Sequence, residues 1–448
     1  MRDSIIKIVR RRTDAHKRIF RVYLTFVSIL ITVIFIWGLT NIKKEIRYND
    51  AIVGSYQEED ILEHLENANG ICGLDIRQYK IDFDKIYEEN GEFLYKYTDG
   101  NIARLTLRGD VQEILRKRLD MYRLPFTAAI VMDAHSGKIL GMYEKNSNKN
   151  EYSINKTYKA ASVFKVVTME SLLSEKGIDT DATMCYFGGK RRLERKHLIE
   201  NPKRDNRCMT VDKALGHSAN VIFARLAYKH LDREILSNHI SLFGFFESIP
   251  VEFDVEKSTI ELPESREELA YTAAGFGETY ISPLHGAVIS SIVANDGIYI
   301  KPSIIERIED ENENILYESG RSEIREVFGK DVAAKLKKMM TYTVSEGTAH
   351  KFFARRRPVD FIKDIKVAGK TGSLADKGEK YTEYNWFVGF APVDNPKYVI
   401  SVLTVNSEEI SARATLYARY ILEDLFKTNS VVIKKSNTSH KKRLLGVK

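Results

Sequence analysis

The segment SVFKVVTMESLL, from Ser162 to Leu173, places a serine and a lysine three residues apart at the start of an apolar run. Apolar residues occupy nearly every face of this run, which predicts a helix buried on most sides. A lysine inside such a helix is costly unless a polar group binds it or it loses its proton. The spacing puts Ser162 and Lys165 on one helical face, near the helix N-terminus.

This serine–lysine pair suits nucleophilic catalysis. Desolvation lowers the pKa of the Lys165 amine, the neutral amine takes the proton of Ser162, and the helix N-terminus favours the developing negative charge. The alternative is a serine cap followed by a lysine whose stem lies along apolar surface while its ammonium reaches water. Because S-x-x-K is a common pattern, the pair alone does not decide between these interpretations.

Two further motifs follow in the chain. His217-Ser218-Ala219-Asn220 interrupts two helical stretches, so its hydroxyl and amide are placed to face the nucleophile across a cleft. Lys370-Thr371-Gly372-Ser373 ends a segment, Ile365–Ala368, whose alternation predicts a strand. The missing side chain of Gly372 lets an extended peptide lie against that strand edge, and Lys370 with Thr371 suits a carboxylate. Taken singly, each motif is equally consistent with an ordinary loop.

The remaining pattern predicts the fold class. We expect a hairpin of two strands, Ala128–Met132 and Ile139–Tyr143, near the start of the domain and two more strands, Phe387–Ala391 and Tyr398–Val405, near its end. Helices are predicted between and around them, at Asp110–Leu119, Val163–Leu173, Leu284–Ala294 and Ala414–Phe426. Strands at both ends with helices between them predict an antiparallel sheet covered by helices, an α/β or α+β sandwich.

An uncharged apolar segment, Val22–Leu39, is long enough to cross a bilayer as a helix. More basic residues precede it than follow it, which predicts a cytoplasmic N-terminus and an exported remainder. The alternatives are a cleaved signal peptide or a buried core helix, but no small-residue cleavage site follows. The predicted organisation is a basic tail at 1–21, a transmembrane anchor at 22–39, a stalk at 40–104, a catalytic domain at 105–428 and a basic tail at 429–448. The last tail is either solvated or touches anionic wall polymer or lipid.

Composition excludes several function classes. The 448 residues carry a formal net charge of +7, with 43% hydrophobic residues, as in a globular protein. No P-loop, dinucleotide fingerprint or zinc-type cysteine and histidine spacing is present, and basic charge alone is weak evidence for nucleic-acid binding. The three cysteines are Cys72, Cys185 and Cys208. An oxidising compartment permits a disulfide between Cys185 and Cys208, but two reduced thiols are an equally good interpretation.

The order S-x-x-K, S-x-N, K-T-G resembles the penicillin-binding transpeptidase family and class A β-lactamases. The resemblance runs from about Leu105 to Lys427. It implies an α/β (α+β) fold like that of penicillin-binding proteins and serine β-lactamases, with a helical catalytic subregion beside the sheet. It includes five further segments: Leu105–Gln112, Val131–Leu140, Ala274–Leu284, Gly347–Ala349 and Trp386–Pro392. The chain departs from the family pattern before the nucleophile, where Ala160-Ala161 stands in place of the usual Pro-Gly, and in the alanine at the centre of the second motif.

The resemblance implies a role for each reactive residue. Ser162 attacks the carbonyl of the penultimate D-Ala in a D-Ala-D-Ala stem peptide, and Lys165 is its general base. Ser218 relays a proton to the leaving amine, with Lys370 tuning that relay.

Binding roles are implied in the same way. Asn220 hydrogen-bonds the substrate amide, while Lys370 and Thr371 hold the terminal carboxylate. The backbone N–H groups of Ser162 and Ser373 form an oxyanion hole, and Gly372 leaves space for the substrate backbone. The resemblance implies no metal and no organic cofactor.

The function so implied is that of a monofunctional, class B-like peptidoglycan D,D-transpeptidase, anchored in the cytoplasmic membrane, inhibited covalently by β-lactams and working beside a polytopic membrane glycosyltransferase. One alternative on the same fold is a hydrolase, either a D,D-carboxypeptidase or a β-lactamase. The other is a β-lactam sensor or a non-catalytic wall-binding protein. Glu278 is the candidate acid for activating water in the hydrolase alternative, because it lies in the segment Gly275–Glu278 that resembles the family.

Overall fold

The computed structural model describes residues 76–147, 151–189, 192–354, 362, 364–376 and 381–427. The predicted anchor Val22–Leu39, both predicted tails and most of the predicted stalk lie outside these residues. Among the residues described, no helix is both long enough and apolar enough to span a membrane.

The strands and helices are numbered in chain order. The strands are β1 Tyr87–Glu89, β2 Glu92–Lys96, β3 Ile102–Leu105, β4 Phe126–Asp133, β5 Ile139–Asn146, β6 Tyr158–Lys159, β7 Thr183–Tyr186, β8 Arg207–Thr210, β9 Thr259–Ile260, β10 Thr279–Ile281, β11 Ile298–Ile300, β12 Ile305–Glu309, β13 Ile315–Glu318, β14 Glu323–Glu326, β15 Ala368–Asp376, β16 Thr382–Ala391 and β17 Tyr398–Asn406. The α-helices are α1 Gly109–Leu119, α2 Lys165–Lys176, α3 Arg195–Leu198, α4 Val211–His217, α5 Asn220–His230, α6 Arg233–Leu242, α7 Arg266–Ala273, α8 Pro283–Ala294, α9 Lys330–Ser345, α10 His350–Phe353 and α11 at 414–427.

The central sheet has five antiparallel strands in the order β15-β16-β17-β4-β5. All nine residues of β17 are buried, because helices cover both faces of the sheet and leave no solvent-facing side. One core includes residues of α2 and α8, and the other includes residues of α1 and α11. The predicted antiparallel sheet covered by helices is therefore confirmed.

A second five-stranded sheet joins the start of the described chain to a later hairpin. Its order is β1-β2-β3-β12-β13. Ile102 pairs with Glu309 and Leu105 with Ile305, so β3 crosses the predicted boundary between stalk and catalytic domain at 104/105. That boundary stays a prediction.

The strand predicted at Ile365–Ala368 differs from the structure. β15 begins at Ala368 and continues to Asp376, so the K-T-G motif lies within the strand instead of following it. Lys370 pairs with Val388 and Gly372 with Trp386 along an unbroken register. A search for apolar alternation does not predict this strand, because the K-T-G motif is polar. Lys370 is nevertheless fully buried within it.

Candidate active site

Ser162 lies in a short 3-10 turn, Ala161–Phe164, directly before α2. Ala161 adopts a left-handed backbone with φ of 51°, which turns the chain sharply before the serine. Gly275, itself at φ +82°, packs against this turn. A Cβ on Gly275 would lie 2.7 Å from the Ala161 carbonyl oxygen and 3.1 Å from Ser162 Cα. The nucleophile turn is thus held by a close backbone contact that only glycine allows.

Lys165 Nζ lies within hydrogen-bond distance of three oxygens. They are Ser162 Oγ at 2.7 Å, Asn220 Oδ1 at 2.8 Å and the Ala274 carbonyl oxygen at 2.6 Å. The last two only accept hydrogen bonds, whereas a hydroxyl also donates. A neutral amine has two N–H groups and one lone pair, so it satisfies this set with its lone pair directed at the Ser162 hydroxyl.

The environment of Lys165 favours that neutral form. The side chain is fully buried. Burial, and secondly the nearby charge of Lys370, hold the pKa of Lys165 well below its usual value of 10.5. The geometry and the electrostatics therefore both suit Lys165 to take a proton from Ser162.

Ser218 and Lys370 form a second serine–lysine pair. Ser218 lies in the junction between α4 and α5, where the sequence predicted an interruption of two helices. Its backbone is left-handed, with φ of 52°. Lys370 Nζ donates to Ser218 Oγ at 3.2 Å and to the Thr371 carbonyl oxygen at 2.7 Å. Burial lowers the pKa of Lys370 to about 7. A proton on this pair is therefore easily gained or lost near neutral pH.

Asn220 links the first two motifs. Its Oδ1 accepts from Lys165 Nζ, and its Nδ2 donates to the Gly189 carbonyl oxygen at 3.3 Å. Asn220, the first residue of α5, is thereby held between Lys165 and the chain segment that follows β7.

The third motif packs directly on the nucleophile turn. A Cβ on Gly372 would lie 2.9 Å from the Ala160 carbonyl oxygen and 3.2 Å from Val163 Cγ2, so only glycine lets β15 approach so closely. Thr371 Oγ1 lies 2.5 Å from Thr348 Oγ1, and Thr348 N donates to the Gly216 carbonyl oxygen at 3.1 Å. The structure therefore brings all three predicted motifs together around Ser162.

Sequence reasoning missed Arg413. This half-exposed arginine precedes α11, and its Nη1 donates to Ser373 Oγ at 3.0 Å and to Glu383 Oε1 at 3.2 Å. Ser373 Oγ also donates to Asn385 Oδ1 at 2.8 Å, and Asn385 in turn accepts from Arg413. No local pattern marks Arg413, because it reaches the K-T-G strand only through tertiary folding.

The described side-chain hydrogen bonds of Glu278 are made with residues other than Ser162. Its carboxylate accepts from Lys159 Nζ at 3.1 Å and from the Tyr280 hydroxyl. These contacts, chiefly the one from Tyr280, lower the pKa of Glu278. None of the described hydrogen bonds of Glu278 reaches Ser162.

Cys185 and Cys208 are joined by a disulfide. They are paired across the two-stranded ribbon of β7 and β8. Cys72 lies outside the residues described.

A nucleophilic serine beside a desolvated lysine, on a helix that packs on an antiparallel sheet, defines a serine acyltransferase type of site. Residues 127–427 match the family model of the penicillin-binding protein transpeptidase domain, and the chain belongs to this family.

Named relatives agree with the family assignment. The chain is 25% identical to Stage V sporulation protein D of Bacillus subtilis, over 81% of this chain and 62% of that protein. It is 27% identical to peptidoglycan D,D-transpeptidase PbpA of Mycobacterium tuberculosis, over 57% of this chain and 52% of that protein. The matches thus span only about half to three-fifths of these relatives.

Solved structures show the same fold. The D,D-transpeptidase domain of a peptidoglycan glycosyltransferase from Eggerthella lenta superposes with a TM-score of 0.60 at 22% identity, covering 73% of this chain and 84% of that one. Penicillin-binding protein A of M. tuberculosis, in a ceftriaxone acyl-enzyme complex, gives a TM-score of 0.59 at 20% identity, covering 72% and 79%.

Proposed function

We propose that this protein is a peptidoglycan D,D-transpeptidase that cross-links stem peptides through an acyl-enzyme on Ser162. The observation that carries the proposal is the 2.7 Å contact between Ser162 Oγ and Lys165 Nζ, where the lysine is buried and its pKa is lowered. The names of the relatives, which include peptidoglycan D,D-transpeptidases, support the same activity.

Acylation begins when the Lys165 amine takes the proton of Ser162. The Oγ attacks the carbonyl carbon of the penultimate D-Ala, and the carbonyl oxygen becomes an oxyanion. The oxyanion then collapses, the peptide bond breaks, and the amine of the terminal D-Ala leaves with a proton passed through Ser218. Lys370, whose pKa lies at about 7, resupplies that proton.

The remaining site residues bind the substrate. Lys370 and Thr371 hold the terminal carboxylate, and Asn220 hydrogen-bonds the stem-peptide amide. The backbone N–H groups of Ser162 and Ser373 stabilise the oxyanion, a contribution of about 3 kcal/mol for one such donor. The close approach of Gly372 to the nucleophile turn supports this placement of β15.

In the second step an acceptor amine attacks the acyl carbon and gives up one proton through Ser218 to Lys370. Ser162 leaves with the proton that Lys165 took in the first step. Transfer requires that water react slowly with the acyl-enzyme. The hydrogen bonds of Glu278 with Lys159 and Tyr280 support slow hydrolysis, because they occupy the carboxylate that would otherwise activate water.

The proposal also includes the membrane organisation. Val22–Leu39 anchors the chain in the cytoplasmic membrane by a single helix, residues 40–104 form a stalk, and the catalytic domain faces the exported side. A polytopic membrane glycosyltransferase supplies the strands. The uncharged segment and the excess of basic residues before it support this topology.

The test uses the full-length protein in detergent with a D-Ala-D-Ala stem peptide and an acceptor amine. We expect a cross-linked product by mass spectrometry and none from Ser162→Ala. Free acid as the sole product, with a penicillin adduct cleared within seconds, would establish the hydrolase alternative instead.

A further inference from the structure

A basic cavity of about 640 Å³ lies beside the second motif. We call it the basic cavity and define it by Phe187, Lys196, His197, Lys203, Arg204 and Arg207, which contribute to its lining. Its wall includes the chain between the two disulfide-linked strands β7 and β8.

Three of its cations form no ion pair with any residue that the structure describes. Lys196 is paired with Glu194 at 2.6 Å. The ion pairs of the described residues include none made by Lys203, Arg204 or Arg207, all of which are exposed. Arg204 instead stacks over the Phe187 ring, with its guanidinium carbon 5.6 Å from the ring centroid. The cavity therefore presents positive charge to any ligand.

A buried arginine cross-links the segments that form the wall of this cavity. Arg225 donates to both carboxylate oxygens of Asp205, at 2.9 and 3.0 Å, and to the carbonyl oxygens of Cys185, His197 and Ile199 at 2.7 to 3.0 Å. Asp205 is thus committed to Arg225, and its charge does not offset the cations of the cavity. The disulfide between Cys185 and Cys208 adds a covalent tie to the same wall. A fixed wall reduces the entropy lost on binding a ligand.

The cavity adjoins the site. Gly188 also lines it, and the next residue, Gly189, accepts the hydrogen bond from Asn220 Nδ2. Arg225 stands on α5, the helix that begins with Asn220. Asn220 is the residue assigned above to the stem-peptide amide, so the cavity lies next to the part of a bound stem peptide that precedes the scissile bond.

We propose that the basic cavity binds a carboxylate of the donor stem peptide, on a residue that precedes the terminal D-Ala-D-Ala. This inference rests on the proposed transpeptidase function. The ligand is anionic because Lys203, Arg204 and Arg207 offer guanidinium and ammonium donors that have no acceptor among the described residues. Such donors bind carboxylates by charge-assisted hydrogen bonds. The cavity thereby adds a specificity determinant for acidic stem peptides.

The test compares two donors on the full-length protein. One is a stem peptide ending in D-Ala-D-Ala with a free side-chain carboxylate, and the other is the same peptide with that group as a carboxamide. We measure the second-order rate of Ser162 acylation for each. Wild type is expected to prefer the carboxylate donor about 10-fold, as two or three exposed ion pairs allow, and the preference is expected to fall as salt screens the charges.

Variants locate the preference. Lys203→Gln with Arg207→Gln is expected to bring the ratio of the two rates close to unity. Lys203→Glu with Arg207→Glu is expected to reverse the ratio, so that the carboxamide donor acylates Ser162 faster than the carboxylate donor. Lys213→Gln is the matched control, because this half-exposed lysine pairs with Glu346 and does not line the cavity. It is expected to keep the wild-type ratio.

A penicillin whose side chain carries no carboxylate separates this inference from the proposed function. It is expected to acylate wild type and both double variants at the same rate. If it fails to acylate wild type, the proposed function is wrong. Two results with normal penicillin acylation would overturn this inference. If the double variants keep the wild-type donor ratio, or lose rate equally with both donors, the basic cavity does not bind the stem-peptide carboxylate.

Discussion

Lys370 Nζ lies 3.2 Å from Ser218 Oγ, although 152 residues separate them in the sequence. This contact places a buried lysine of β15 beside the loop between α4 and α5. A second buried lysine, Lys165, lies 2.7 Å from Ser162 Oγ, and the charge of Lys370 is one cause of its lowered pKa. Two cations buried close together disfavour each other's charge, so the fold itself keeps one of them neutral.

Replacing Lys165 by methionine tests its role as general base. Lys165→Met keeps most of the buried volume, so the protein is expected to fold. Its rate of acylation by penicillin is expected to fall on the order of 10² or more, because the Ser162 hydroxyl has no other positioned base. Stopped-flow acylation measures the effect, and Lys213→Met, a change at a half-exposed lysine, serves as the control. Near-normal acylation of Lys165→Met would make Lys165 structural.

Adding one methyl group at Gly372 tests the contact between β15 and the nucleophile turn. In Gly372→Ala the new Cβ meets the Ala160 carbonyl oxygen at 2.9 Å, so the strand must shift. We expect acylation to fall about 10-fold or more, since misplacement by about 1 Å costs up to about 10²-fold. Gly329→Ala is the matched control, because nothing lies within 4 Å of a Cβ there. Equal rates in the two variants would show that this contact does not position the site.

The buried pair of His239 and Glu170 predicts a pH-dependent stability. His239 Nδ1 lies 2.8 Å from Glu170 Oε2 beneath the nucleophile helix, and Nε2 lies 3.2 Å from Glu175 Oε1. Burial lowers the pKa of His239, but the hydrogen bonds and charges of the two glutamates outweigh it, so the pKa is raised overall. The stabilisation is therefore fully present below the ordinary pKa of 6.5 and is lost as pH rises through the folded-state pKa.

Thermal unfolding of His239→Gln at two pH values measures this effect. We expect a loss of about 3 kcal/mol at pH near 6, typical of breaking a buried charged pair, and a smaller loss at alkaline pH. Exposed His350→Gln is the control and is expected to change little. A loss that is the same at both pH values would contradict a charged His239 in the folded state.

The disulfide predicts both a chemical and an energetic result. Peptide mapping without reductant is expected to recover Cys185 and Cys208 in one linked peptide. The double change to serine is expected to cost about 3 kcal/mol of stability, from the loop-closure entropy of a loop of this length. Free thiols at both positions would refute the pairing.

Much of the central sheet follows from local pattern. The strands predicted at Ala128–Met132, Phe387–Ala391 and Tyr398–Val405 all lie within observed strands. Their residues are apolar on both faces because helices cover both sides, which makes a continuous apolar run easy to recognise. The predicted helix Ala414–Phe426 likewise falls within α11.

Other features depend on contacts that no local pattern contains. β1 is short and fully exposed, and β3 is stabilised by pairing with β12, which lies two hundred residues later in the chain. The contact of Arg413 with Ser373 and the close approach of Gly275 to Ser162 exist only after folding. The three motifs predicted which residues meet around Ser162. The contacts that support those residues could be identified only from the structure.

Intact-protein mass spectrometry after exposure to penicillin tests the central claim most directly. The wild type is expected to gain the mass of one penicillin, with the adduct on the peptide that contains Ser162 and persisting for many minutes. Ser162→Ala replaces one small side chain by another, so it is expected to fold and to gain no mass. Equal labelling of wild type and Ser162→Ala, or an adduct on another residue, would contradict the account.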